Sequence, residues 1–370
     1  MSYNNFFDFR DNVIKPSDRV KVFLPCIQWH TANNLYQRPQ HMATEFQKKG
    51  FITIYITLYE ELEDEYVLRN GIWFTRNLEE TMCIKGAYYT FYSTAWGLDY
   101  ARIQNVIKYN KGFIIYDYID HIDEKINHSK ENCEILTKNK IDALCSADLV
   151  IATATVLYDE AKTKNNNVEL IQNGVCVEHY LSKKDNIGEY RHQKYYDLLY
   201  FKNRFTVLIG YFGAIAPWLD YEIINNIMSL KKHIGFVFIG PDYLDSLKKI
   251  DRGDNCLYLD TIPYCVLPYY ANLFDICLIP FEKGEIAKTT SPLKLYEYFA
   301  VQKPVIVCSD MKECVKYKEV LSYDTLDDLD NKINQAITVK NDQEYKQKLL
   351  ELANENSWSR RVDRLIDRLL

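Results

Sequence analysis

At 370 residues the chain exceeds the length over which a single hydrophobic core keeps growing, so two domains are expected. Hydrophobic residues at 47% and charged residues at 26% supply a core of ordinary proportions and exclude a disordered chain. A formal net charge of −6 excludes non-specific nucleic-acid binding as the main activity, and ten scattered cysteines, with no Cys-x-x-Cys pair, read as free thiols of a reducing compartment.

In chain order, Val20–Pro25, Phe51–Thr57, Ala87–Tyr92, Phe113–Tyr118 and Leu149–Thr153 are short runs apolar on both faces, as buried parallel strands are. Helical-period segments fill the gaps between them, and this alternation predicts an α/β fold of βαβ units. Glu60–Glu65 reads as a solvated segment. After Asn173-Gly174-Val175, the polar stretch Ser182–Asn203 breaks the alternation and marks an interdomain linker. The pattern resumes with Thr206–Tyr211, Gly235–Ile239, Cys256–Leu259, Ile276–Pro280 and Val305–Cys308. The expected division is a first domain over 1–183, a linker over 184–204, a second domain over 205–355 and a C-terminal helix over 356–370. Within that last helix, Trp358, Val362, Leu365, Ile366 and Leu369 follow helical spacing and predict an apolar face that packs back on the first domain. No signal-peptide h-region opens the chain and no run approaches the roughly 20 apolar residues of a membrane span, so a cytoplasmic protein is expected.

The strongest local signal is Ser291-Pro292-Leu293-Lys294-Leu295-Tyr296-Glu297, where Ser at the N-cap and Pro at the first helical position start a helix. Free amides and the helix dipole there favour an anion such as a phosphate. Lys294 in the first turn opposes the dipole unless an anion sits nearby, and Glu297 follows on the same face. Lys294 would pair with a diphosphate while Glu297, an acceptor-only carboxylate, takes hydrogen bonds from two ribose hydroxyls. A surface Lys–Glu pair has the same spacing. Asp117, Asp120 and His121 stand at the end of a predicted strand, where open α/β sheets place their ligands; a carboxylate there serves as general base, or caps the next helix. Ahead of them, the loop Pro25–Arg38 holds Trp29, His30 and Tyr36, aromatic faces for a sugar ring. Arg38 is either a phosphate clamp or a structural ion-pair partner.

These residues carry a resemblance. Ser291 to Ala300, followed by Pro304-Val305, resembles the donor-binding helix of the group-1 (glycosyltransferase family 4-like) enzymes of the GT-B fold. Gln37-Arg38-Pro39-Gln40-His41, Tyr116 to Asp120, Ala147 to Thr153, Ile171 to Val175, Ile209 to Ile215, Phe238 to Pro241 and Asp275 to Phe281 follow in that family's order. The first of these resembles a subgroup that makes bacterial cell-surface polysaccharides. The resemblance implies two Rossmann-like parallel-sheet domains facing a cleft, with the acceptor bound by the first and a nucleotide diphosphate sugar, a UDP-sugar, by the second. It implies transfer of a hexosyl group to a glycan or lipid-linked acceptor without a metal ion, at the inner face of the membrane or in the cytoplasm. In that frame Ser291, Pro292, Leu293, Lys294 and Glu297 bind the donor together with Gly213 and Trp218 of the loop after the first strand of the second domain. The loop Thr261–Val266 follows the strand Cys256–Leu259 and neighbours the Ser291 helix, which predicts that Pro263 or Tyr264 packs on the nucleobase, while the resemblance leaves open whether Arg38 reaches the phosphates. Asp117, Asp120 and His121 become the catalytic group. Thr289 stands where family members carry the first of two glutamates spaced seven apart, so a retaining rather than inverting outcome does not follow from the pattern; either nearby Glu285 or backbone amides replace it, or the subgroup works without it. The basic residue usual after Gly213 is also missing, the next being Lys231. Two alternatives fit: a non-catalytic subunit partnering an active transferase, and a UDP-sugar 2-epimerase of the same fold.

Overall fold

The apolar runs become the strands of two separate sheets in a computed structural model that describes residues 1–29, 35–95, 97–127, 129–181 and 192–370. Sheet one comprises β1 (Ser2–Tyr3), β2 (Val20–Phe23), β3 (Ile52–Ile56), β4 (Tyr66–Arg69), β5 (Ile72–Thr75), β6 (Tyr88–Tyr92), β7 (Phe113–Tyr118), β8 (Leu149–Ala152) and β9 (Val168–Leu170), in the order β1-β4-β5-β3-β2-β6-β7-β8-β9. From β5 to β9 every neighbouring pair is parallel, whereas β4 and β1 run antiparallel at the edge. The second sheet is wholly parallel: β10 (Leu208–Phe212), β11 (Gly235–Ile239), β12 (Cys256–Tyr258), β13 (Ile276–Ile279), β14 (Val305–Cys308) and β15 (Leu321–Tyr323), ordered β12-β11-β10-β13-β14-β15. Every residue of β2, β8, β10, β11, β13 and β14 is buried, as strands covered on both faces require.

Contacts divide the chain into two units. One takes residues 1–29, Tyr36–Gln172 and Val362–Leu370; the other takes Asn173–Arg361. Of the stretch expected as linker, residues up to 191 lie outside those described, and Gln193–Lys202 is a helix of the second unit. Its polar composition conceals a buried stripe of Tyr195, Leu198 and Phe201 at helical spacing. In the first unit the hairpin β4–β5 falls outside the strands expected from the sequence. Asn70 and Gly71 form its turn with φ of 50° and 81°, the two left-handed residues of a type I′ loop.

Helix Arg38–Lys48 opens with a capping box between Gln37 and Gln40. Its first residue is buried and donates from Nε to Asp117 Oδ2 on β7 at 2.8 Å and from Nη1 to the Gln172 carbonyl at 3.2 Å. One guanidinium thereby ties the helix start, the sheet centre and the end of the unit's main segment together. Lys21 on β2 is buried on the same side and bonds the Thr90 hydroxyl, and burial pushes its ammonium down to about 7 against the pull of Asp117.

In the second unit, Val175 and Ser357 form an isolated parallel backbone bridge: the Val175 N–H donates to Asn356 O at 3.1 Å and the Trp358 N–H to Val175 O at 3.1 Å. A Cβ on Gly174 would lie 2.6 Å from the Asn356 carbonyl, so only bare backbone fits there. Helix Trp358–Leu369 begins in this unit at the buried Trp358 and ends in the first unit, where Lys49 pairs with Asp363 at 2.6 Å and Arg368 with Glu169 at 3.1 Å. The ten cysteines are free thiols. Among the described residues no helix is long and apolar enough to cross a membrane.

Two stability measurements follow from this packing. Trp358→Ala should cost about 3–5 kcal/mol in chemical denaturation, against less than about 0.5 kcal/mol for the exposed Arg360→Ala. Arg38→Ala should cost about 3–5 kcal/mol by stranding the buried Asp117 carboxylate, and the double change Arg38→Met with Asp117→Leu should recover much of that loss.

Candidate functional site

In the second sheet the connections leave β10 towards β11 on one side, while β13 pairs on the other, so the carboxyl ends of β10 and β13 flank the topological switch point where open α/β sheets bind ligands. Strand β10 runs into Gly213, whose φ of 135° and N–H bond to the Ile239 carbonyl at 2.8 Å lock the strand end against β11. Gly240 at the end of β11 presses on it so closely that a Cβ there would stand 2.1 Å from Gly213 O. From β13 the chain passes Pro280 and Phe281, then helix Glu285–Thr289, and enters helix Leu293–Ala300.

That helix starts one residue later than expected. Pro292 is its N-cap, with no side-chain cap bond, and Ser291 is turned away: its hydroxyl lies 3.2 Å from the Tyr296 hydroxyl and its carbonyl accepts from Asn173 Nδ2 at 2.6 Å. Leu293 and Lys294 therefore open the helix with no capping side chain over their amides. The Lys294 ammonium lies 3.5 Å from the Tyr211 hydroxyl, 4.9 Å above the Tyr211 ring and 5.3 Å from the Phe281 ring. A Cβ on Gly213 would be 2.8 Å from that nitrogen. Burial pushes Lys294 down to about 8, with Glu297 opposing the shift.

Glu297 is buried, and burial pushes its carboxyl up to about 7 while the Tyr180 hydroxyl and Lys294 pull it back. Among the described residues the two charges make no direct ion pair, unlike the surface pair Lys288–Glu285 at 2.8 Å with the same spacing. The surface-pair alternative for Lys294 and Glu297 is thus set aside by geometry. Glu285, the substitute for the missing glutamate, is engaged by Lys288 on the surface, and Thr289 is buried with its hydroxyl on the Glu285 carbonyl at 2.6 Å. Lys231 pairs with Asp330, so the cation over Gly213 is Lys294 itself.

Beside this locus, Trp218 packs its ring 6.5 Å from Phe281 and 5.5 Å from Tyr243. On the other flank, the Tyr264 ring stacks on His179 at 4.3 Å and 19°, and the Tyr264 carbonyl lies 2.9 Å from His179 Nε2; Pro263 is partly exposed next to it. Tyr180 stands between, 6.4 Å from Tyr264, on helix Val177–Leu181. In the second unit Tyr264 thus approaches Tyr180, Tyr180 neighbours Glu297, and Lys294 lies against Gly213 and against Phe281, on which Trp218 packs. Tyr180, Tyr211 and Phe281 take part in these contacts, and the sequence singled none of them out as a site residue.

In the first unit the structure separates the residues expected to act together. Asp117 is buried beneath Arg38, so that neither the general-base role of the one nor the phosphate-clamp role of the other has an exposed group to serve it. Asp120 is partly exposed, in a turn pinned by the Ser93 hydroxyl on the Ile119 N–H at 3.0 Å and by Thr153 on the Ile119 carbonyl. Burial, then repulsion from Asp117, pushes its carboxyl up to about 6, against Arg38. His121 is partly exposed beside it. Trp29 makes edge contacts with Tyr36, Tyr55 and Phe74 at 5.8, 5.2 and 5.1 Å, and His30 lies outside the described residues. Among the described residues no group of three or more His, Cys, Asp or Glu side chains is placed to hold a metal ion.

No family model matches this chain. It is similar to TuaH of Bacillus subtilis (strain 168), assigned as a teichuronic acid biosynthesis glycosyltransferase, with 24% identity over 180 residues. That match covers 47% of this chain and 43% of the relative, so less than half of the relative's length is spanned. Solved structures match over most of the chain: a UDP-forming α,α-trehalose-phosphate synthase of Burkholderia xenovorans in complex with glucose-6-phosphate has a TM-score of 0.68 at 9% identity, over 95% of this chain and 100% of that one. The Escherichia coli trehalose-6-phosphate protein bound with UDP-2-fluoro glucose has a TM-score of 0.67 at 10% identity, covering 95% and 99%. Alr3699/HepE of Anabaena, in complex with UDP and glucose, has 0.65 at 12%, again covering 95% and 99%. At such identities the likeness is one of architecture: the two parallel-sheet units of this chain have the GT-B fold.

Proposed function

We propose that the chain is a glycosyltransferase that takes a sugar from a UDP-sugar and transfers it to a hydroxyl of a glycan or lipid-linked acceptor in bacterial surface polysaccharide synthesis. The observation that carries the reading is Lys294, held over Gly213 at the switch point of the second sheet, with Glu297 one turn further along an uncapped helix start. Support comes from relatives of the same fold that hold UDP or a UDP-sugar, and from the teichuronic acid relative for the polysaccharide role.

On this reading the diphosphate lies against the amides of Leu293 and Lys294 and the Lys294 ammonium, while the ribose hydroxyls donate to Glu297. As the bond from the sugar to the diphosphate breaks, charge grows on the leaving oxygens. The helix start and the ammonium are already aimed there, so they stabilise that charge without reorganising. Pro263 and the Tyr264–His179 stack flank the nucleobase. The first unit supplies the acceptor side. There Asp120, whose carboxyl sits at about 6, is ionised at neutral pH and still basic enough to accept the acceptor proton, with His121 alongside. Arg38 and Asp117 hold that strand end in place from beneath. No step in this scheme needs a metal ion.

Glu297→Ala and Lys294→Ala should each weaken UDP binding roughly 10- to 150-fold, the loss of one charge-assisted hydrogen bond, with the thermal transition little changed. Isothermal titration checks this, and unchanged affinity in both variants refutes the site. The pH dependence gives a second check. Glu297 must be deprotonated and Lys294 protonated, so UDP affinity should rise with pH through about 7 and fall through about 8. Glu297→Gln should flatten the acid limb and Lys294→Met the alkaline one.

A further inference from the structure

Tyr180 is a buried tyrosine whose hydroxyl makes no ordinary hydrogen bond among the described residues. Buried hydroxyls of that kind are uncommon, because a phenylalanine fills the same space without stranding a polar group. Its helix, Val177–Leu181, packs against helix Leu293–Ala300, and the polar group that Tyr180 faces is the Glu297 carboxyl. Glu297 is itself buried, and the nearby Tyr180 hydroxyl draws its carboxyl back towards the ionised form. An orphaned hydroxyl donor and a buried carboxyl acceptor thus face each other in the wall of the switch-point site.

We infer that Tyr180 is a positioning residue of the nucleotide site, its hydroxyl donating to one lone pair of the Glu297 carboxylate so that the remaining lone pairs face the two ribose hydroxyls. This rests on the reading of Glu297 as the ribose acceptor. A carboxylate offers about four acceptor positions, so one bond from Tyr180 leaves enough for a diol. The phenol is held well above its ordinary value by burial and stays a donor throughout the working range. His179, next to it, stacks on Tyr264, so the short helix Val177–Leu181 supports the nucleobase flank with one residue and the ribose flank with the next. Tyr180 touches no reacting atom in this arrangement and acts through Glu297.

The test is titration of wild type, Tyr180→Phe and Glu297→Ala with UDP and with 2′,3′-dideoxyuridine diphosphate, repeated with GDP and its dideoxy form. Tyr180→Phe keeps the ring and its packing. It should bind UDP roughly 5- to 20-fold more weakly than wild type, yet bind the dideoxy nucleotide within about twofold of wild type, because the missing hydroxyls are the groups that Glu297 was positioned to meet. Equal loss on both ligands means the ring packing changed and overturns the assignment, as does wild-type affinity for UDP in Tyr180→Phe while Glu297→Ala is impaired. If wild type binds neither UDP nor GDP, or if Glu297→Ala binds like wild type, the reading of the site fails and the assignment fails with it.

Discussion

A side chain at position 213 would collide with the Lys294 ammonium, and the organisation of the second unit follows from that contact. Strand β10 ends in bare backbone because Gly213 is approached from one side by Gly240 and from the other by Lys294. The cation is thereby brought against the strand end at the switch point, where it meets the faces of Tyr211 and Phe281 and makes no ion pair among the described residues. Left alone this is unfavourable. A lysine in the first turn of a helix opposes the dipole, and burial already draws its ammonium down to about 8.

The same burial pushes Glu297 up to about 7, so both groups sit close to losing their charge near neutral pH. They are near enough to influence each other and too far apart to pair. On the proposed reading a nucleoside diphosphate resolves both conditions at once, giving the ammonium an anion and the carboxylate two donors. Preorganisation of this kind places the energetic cost in the folded protein, so that binding and the departure of the diphosphate need little rearrangement. The Asn173 amide, which bonds the Ser291 carbonyl, and Arg361, whose Nε donates to the Asn173 carbonyl at 3.3 Å, brace the helix start from behind.

Much of this was legible in the sequence, for identifiable reasons. Buried parallel strands are apolar on both faces, so β2, β3, β6, β7, β8 and β10 to β14 stand out as runs. Strands of mixed composition did not: β9 and β15 span three residues each, and β4–β5 follow an acidic segment, although Asn70-Gly71 is the dipeptide that a type I′ hairpin demands. Helix Gln193–Lys202 was hidden because its buried face is mostly aromatic within a polar stretch. At the site, Lys294, Glu297 and Gly213 were readable from a helix start and a strand end. What could not be read was pairing across sequence distance: Arg38 with Asp117, or the approach of the Tyr180 helix to the Glu297 helix, since nothing in either neighbourhood names its partner. Burial itself decided which of Asp117 and Asp120 remains available, and the end of a strand gives no hint of it.

The most direct test of the account is a structure of the protein with UDP bound. The account predicts the diphosphate at the amides of Leu293 and Lys294, the ribose hydroxyls on Glu297, and the uracil flanked by Pro263 and Tyr264. A nucleotide bound anywhere but at the switch point between β10 and β13, or one whose ribose turns away from Glu297, would contradict it.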